Sequence, residues 1–154
     1  MKQIFTILMS ICLLTGQDQL FVGSRPLSMG GAFIAVANDA NTITWNPAGL
    51  PRLRRTEFTT TYGNLYGIDI VQSYLGFVKP FSDKLAIGLD WSNIGYDDDE
   101  LGYGDNKLNL GMGYQPHPMV SIGLSLKYIN RDMVLDETSY GKSSGLGYDA
   151  GVLV

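Results

Sequence analysis

The residues Leu85-Ala86-Ile87-Gly88-Leu89-Asp90-Trp91-Ser92 decide the fold class. Leu85, Ile87, Leu89 and Trp91 alternate with Ala86, Gly88, Asp90 and Ser92. Successive side chains of a strand point to opposite faces, so this stretch is a strand with one apolar face and one small or polar face. The same alternation runs through 119–128, where Val120, Ile122, Leu124, Leu126 and Tyr128 oppose Ser121, Gly123, Ser125 and Lys127. It runs again through 107–115, where Leu108, Leu110, Met112 and Tyr114 oppose Lys107, Asn109, Gly111, Gly113 and Gln115. A sheet built this way needs an apolar neighbour on one side and tolerates water on the other. A protein core and a lipid bilayer both meet that need.

Outward from these strands, the pattern predicts an all-β chain with strands near 56–63, 71–81, 85–94, 107–115, 119–131 and 146–154. Ser82-Asp83-Lys84 and Pro116-His117-Pro118 read as tight turns, whereas 95–106 and 132–145 read as long polar loops. Short and long connections that take turns are the pattern of an antiparallel transmembrane β-barrel, with short periplasmic turns and longer outside loops. Phe81 and Tyr114 lie beside the short turns, and Trp91, Tyr128 and Tyr148 lie toward the long connections. Two aromatic rows with an aliphatic middle suit the two bilayer interfaces as an aromatic girdle. The aliphatic runs between the rows are about the 9–11 residues that a tilted strand needs to cross. The competing architecture is a soluble β-sandwich with aromatics at its edges.

The N-terminus favours the membrane. Lys2 precedes an apolar run from Ile4 to Leu14, followed by Thr15-Gly16-Gln17, the layout of a secretory signal peptide. The run is too short to span a bilayer as a helix. Residues 1–16 are therefore expected to be a signal peptide cleaved after Gly16; the alternative is a buried N-terminal helix. Cys12, the only cysteine, would leave with it, and Ile11 before it is bulkier than a lipid-anchor site accepts. The mature chain then has neither a disulfide nor thiol chemistry. Hydropathy is balanced between apolar and polar residues, as in a soluble protein or in a barrel whose lumen face is polar. Charged residues make up 17% and the net charge is −4, so there is no basic footprint for nucleic acid. The 19 glycines are many for a soluble strand protein, because glycine weakens strand interiors.

Residues 17–55 are different in kind. Ser28-Met29-Gly30-Gly31-Ala32-Phe33-Ile34-Ala35-Val36-Ala37-Asn38-Asp39-Ala40 is small, nearly uncharged and without alternation, which suits a short helix or packed irregular backbone. In Trp45-Asn46-Pro47-Ala48-Gly49-Leu50-Pro51, Asn46 can cap a helical turn, Pro47 suits its first position and Gly49 its end. This segment is expected to be a small folded plug, followed by the strands of 56–154.

Arg25 to Phe33, Ala37-Asn38-Asp39-Ala40 and Trp45 to Leu50 together resemble the start of the PorV/PorQ family of outer-membrane proteins. That family is similar in architecture to the long-chain fatty acid channels of the FadL type, which carry an Asn-Pro-Ala element in an N-terminal hatch. The resemblance covers 25–50 well and the remainder as pattern. It implies a barrel of about fourteen strands around a hatch, with Met29, Gly30, Gly31, Asn46, Pro47, Ala48, Gly49 and Leu50 as the hatch motif. Six strands are fewer than the eight of the smallest single-chain bacterial barrels, so the chain is expected to be the N-terminal part of a longer protein, with assembly of several copies as the alternative.

Catalysis is not expected, and neither is a cofactor or a metal. His117 is the only histidine and sits between two prolines, so no nucleophile–base–orienter set forms. Asp97-Asp98-Asp99-Glu100 offers oxygens to a cation but lacks the spaced ligands and glycine of a calcium loop. Gly102-Tyr103-Gly104 is read as a loop, not as a phosphate cradle. Arg52, Arg54 and Arg55 are read as a solvated or phosphate-facing turn. The expected function is passage of hydrophobic or amphipathic small molecules through a hatch-plugged barrel in a Gram-negative outer membrane. Phe33, Ile34, Trp45 and Leu50 would be the apolar ligand contacts or the plug's own core. The partners would be outer-membrane lipid and a hydrophobic small molecule. The resemblance to PorV leaves a role in type IX secretion open, with secretion-system or cargo proteins as partners. A soluble β-protein that binds glycans is the remaining alternative.

Overall fold

The computed structural model describes residues 22–98, 101–135 and 138–154. The signal peptide expected over 1–16, the first residues of the expected plug, and Asp99 and Glu100 lie outside the described residues. The chain is all-β. Six antiparallel strands form one sheet in sequence order, from β1 at one edge to β6 at the other. They are β1 (Glu57–Leu65), β2 (Ile70–Ser82), β3 (Leu85–Asp97), β4 (Leu101–His117), β5 (Val120–Leu135) and β6 (Thr138–Leu153). Before them come a short α-helix, Ser24–Ser28, a single helical turn, Thr42–Trp45, and a 3-10 helix, Pro47–Arg52. No helix among the described residues is long and apolar enough to cross a membrane, which says nothing about strands.

The strands are in the expected order, but three of the connections are not as expected. Residues 95–97, 101–106, 132–135 and 138–145 are strand rather than loop. Tyr96 faces Tyr103 and Asp97 faces Gly102 in the β3–β4 ladder. Asp132 faces Lys142 and Met133 faces Gly141 in the β5–β6 ladder. Gly102-Tyr103-Gly104 thus belongs to β4. The cause is that paired backbone needs no apolar side chain: each arm satisfies the other's N–H and C=O groups even where both faces are polar. The third difference is at the opposite end, where His117 pairs with Val120 across a bulge, so the turn is only Pro118–Met119.

The two faces of the sheet have opposite environments. Leu124, Leu110 and Met112 are 60%, 54% and 50% exposed, whereas Asp90 and Ser121 on the other face are 1% and 0% exposed. Among the described residues the apolar face therefore meets no other part of the chain, and the small, polar face is the covered one. The N-terminal segment lies on that polar face. Its core has two parts: Ile43, Leu50 and Leu53 with Val78 and Ala86, and Phe33, Ala37 and Ala48 with Leu153.

The apolar face ends at a boundary written across the ladder. Trp91, Leu108, Tyr128 and Leu146 are successive partners in one row. The next row toward the extended hairpins is Ser73, Asn93, Asn106, Asn130 and Ser144. Asn93 Nδ2 donates to Asn106 Oδ1 at 3.0 Å within it. Beyond this row the hairpins mix polar residues with Tyr96, Tyr103, Met133 and Val134, without a continuous apolar face.

Because Tyr96 and Tyr103 are directly opposed, cysteines at these two positions in a Cys12→Ser background should oxidise to a disulfide, since opposed Cα atoms fall within bridging range. The pair Tyr96→Cys with Asp105→Cys, out of register, should not. Equal cross-linking of both pairs on a non-reducing gel would show a loop instead of a ladder.

Candidate functional site

The site is the contact between the N-terminal segment and the polar face of the sheet. Asn46 begins it. Its backbone is extended, and its side-chain Oδ1 accepts from the Ala48 N–H at 3.1 Å, which starts the 3-10 helix. Its Nδ2 donates to the Ile34 carbonyl at 3.1 Å. Pro47 occupies the first helical position, where a missing N–H costs nothing. The helix does not end at Gly49 but continues through Pro51 to Arg52. Gly49 is instead a packing position, because a Cβ there would run into the Ala37 carbonyl and come 2.8 Å from Thr42 Cγ2.

The 3-10 helix rests on strand residues that lack a side chain. Gly113, Gly123 and Gly151 are successive ladder partners across β4, β5 and β6, and Ala86 continues their row into β3. A Cβ on Gly113 would lie 2.7 Å from the Pro47 carbonyl and 2.9 Å from Leu50 Cβ. A Cβ on Gly123 would overlap the Pro47–Ala48 peptide, and one on Gly151 would overlap Asn46 Oδ1. In the neighbouring row Gly88 pairs with Gly111, and both lie under Ile43 and Leu50. The glycines thus form a floor that lets helix backbone approach sheet backbone.

Beside this floor the polar face carries paired charges. Asp90 accepts from Thr44 Oγ1 and from Asn109 Nδ2, each at 2.8 Å. Thr44 belongs to the N-terminal segment, so this bond joins the segment to β3. Lys127 pairs with Asp149 at 2.7 Å, and Ser125 Oγ donates to the same carboxylate at 2.9 Å. Asp105 takes Arg131 at 3.0 Å and Lys107 at 3.7 Å. A buried charge needs such partners. Further out, Tyr96 donates to Asp98 at 3.1 Å, and this carboxylate raises the Tyr96 phenol above its ordinary pKa.

Within the segment, Arg25 Nη1 donates to Asn38 Oδ1 and Asp39 Oδ2, both at 2.7 Å, and its guanidinium lies 5.3 Å from the centre of the Phe33 ring. Phe33 and Trp45 meet edge to face at 6.2 Å. Met29 packs on the same cluster. Gly30 and Gly31 turn the chain with positive φ. Phe33 and Leu50 are fully buried and Trp45 half-buried, whereas Ile34 is exposed on the segment's outer side. Of the possible ligand contacts, Phe33 and Trp45 are therefore brought together and Ile34 is set apart.

Phe81, Trp91, Tyr114, Tyr128 and Tyr148 all stand exposed on the apolar face. Trp91 and Tyr128 share one row through Leu108, while Tyr148 faces Leu126 one row further in. His117 Nδ1 accepts from the Met119 N–H at 3.3 Å. Among the described residues no three His, Cys, Asp or Glu side chains converge to hold a metal ion. Sequence reasoning missed Thr44, Asp90 and Asn109 as a joint, and it missed the glycine floor. The signal for the floor was present as glycine at alternate positions, Gly111 and Gly113 in β4. No family model, curated protein or solved structure matches this chain.

Valine at Gly113 or Gly123 should destabilise the fold by about 1–3 kcal/mol through overpacking. Gly145→Val, where no heavy atom lies within 4 Å, should stay within about 0.5 kcal/mol. Urea unfolding followed by tryptophan fluorescence measures both. Equal effects at the two kinds of position would remove the floor from the account.

Proposed function

We propose that this chain is wall and hatch of an outer-membrane β-barrel that passes hydrophobic or amphipathic small molecules, and that it is not an enzyme. The observation that carries the reading is the inverted burial of the sheet. A soluble protein covers its apolar face, because each Å² of apolar surface left in water costs about 25 cal/mol. Here large apolar and aromatic side chains from all six strands, Phe58 and Tyr62 of β1 included, stand together in the open, while Asp, Asn, Lys and Ser are buried on the other face. That arrangement suits lipid outside and a polar lumen inside. The alternating sequence of β5 stays apolar from Val120 to Tyr128, close to the 9–11 residues of a crossing strand.

In lipid, the outer edges of β1 and β6 would need partners, because unpaired N–H and C=O groups are not tolerated there. More strands of polypeptide or further copies of the chain would supply them. The segment 22–55 would then sit in the lumen as the hatch. Its Asn46–Leu50 turn is seated on the glycine floor, so a path would open around it or by its displacement. The second reading, a component of type IX secretion, is favoured by one observation: the β3–β4 and β5–β6 hairpins run beyond the polar row and offer backbone-ordered surface on the outer side.

The test is passage in proteoliposomes. The protein should float with lipid vesicles. Deleting residues 22–53 should raise the entry rate of an apolar dye above that of the intact protein. Flotation with an unchanged rate would contradict the hatch and favour the secretion reading. A protein that stays in solution without detergent would contradict the barrel.

A further inference from the structure

The two ends of the sheet differ in charge. At the end with the Asp83–Lys84 and Pro118–Met119 turns, Arg54, Arg55, Lys79 and Lys84 are all exposed. Arg52 adds to them, and Glu57 and Asp83 oppose them. The opposite end presents Asp69, Asp97, Asp98 and Asp132, with Arg131 and Lys142 against them. The whole chain is net acidic at −4, so the basic end stands against the trend of the molecule.

The basic end is also shaped. Arg54, Asp83, Lys84, Gln115 and Pro118 line a cleft of about 440 Å³. A second recess of about 200 Å³ shares Arg54 and Asp83 and reaches Phe81 and Pro80. Arg54 Nη1 donates to the Asp83 carbonyl at 3.1 Å, which fixes its direction. The Asp83 carboxylate is 3.8 Å away and 98% exposed, so it neutralises little. The planar guanidinium has further N–H donors to offer a phosphate. Lys79 projects from the apolar face with Nζ 5.5 Å from the Phe81 ring centre, so its stem lies on apolar surface and its charge reaches the same end.

We infer that this basic collar binds the phosphate of an anionic phospholipid, in the leaflet on the short-turn side. The inference rests on the membrane reading above. What selects lipid over a free phosphate is the continuity of the recess with the apolar face: Arg54 and Phe81 line one hollow, so a headgroup held by Arg54 and Lys84 has its acyl chains beside Phe81. Basic groups next to an apolar band are where anionic headgroups bind. The acidic end repels the same headgroups, so the collar also sets which end faces that leaflet.

The test uses the full chain in vesicles of phosphatidylcholine with a minor share of phosphatidylglycerol, extracted in mild detergent, with the co-purifying lipid quantified. The wild type should enrich phosphatidylglycerol over its bulk share. The double variant Arg54→Gln/Lys84→Gln, both on exposed connections, should lower that enrichment by roughly tenfold. Lys142→Gln, near the other end, should leave it unchanged. Inorganic phosphate should not displace the lipid. Equal enrichment in wild type and double variant overturns the inference, as does displacement by inorganic phosphate, which would assign the cleft to a free anion. Failure to float with either phosphatidylcholine or mixed vesicles overturns the membrane reading itself, and is distinguishable from loss of lipid preference in a protein that floats.

Discussion

Contact between the Pro47–Arg52 helix and strand backbone is the constraint on which the remaining structure depends. It needs Gly113, Gly123 and Gly151 in register across β4, β5 and β6, with Gly88 and Gly111 alongside. A side chain at Gly113, Gly123 or Gly151 would collide with the Asn46–Leu50 turn, and one at Gly88 or Gly111 would crowd Ile43 and Leu50. Because the segment takes the small-residue face, Asp90 finds Thr44 there, and among the described residues the apolar face is left uncovered. Face selection and glycine placement are thus one fact seen from two sides.

Much of this was legible in the sequence. Six strands, their order and the division of 85–92, 107–115 and 119–128 into two faces follow from period-2 alternation, because a strand that is buried or lipid-facing on one side must alternate. The Asn46–Pro47 cap was legible as well, since capping acts over neighbouring residues. The extended hairpins were not. Residues 95–106 carry no sustained apolar alternation, and a ladder held by backbone hydrogen bonds leaves no trace in hydropathy. The glycine floor was visible as a surplus of glycine but not as a floor, because its meaning lies in cross-strand register between residues as far apart as Gly88 and Gly151. The end of the 3-10 helix was misplaced at Gly49 because glycine there serves a close approach to Ala37, not termination.

On the proposed reading, the same architecture explains why charges and apolar residues are where they are. The paired ions Lys127–Asp149 and Arg131–Asp105 lie on the lumen side, where partners offset their desolvation. The polar row from Ser73 to Ser144 lies where the apolar face stops, and the strands beyond it keep their ladder in water. On that reading each of these features has a bilayer-based reason.

The most direct measurement is of what the apolar face touches. A polarity-sensitive fluorophore placed singly at cysteines at 121, 122, 124, 125 and 126, in a Cys12→Ser background, would be challenged in vesicles with a lipid-borne and with a water-borne quencher. Quenching should alternate along the strand: the lipid-borne quencher acts at 122, 124 and 126, and not at 121 and 125. Uniform quenching from water, or alternation with the opposite phase, would contradict it.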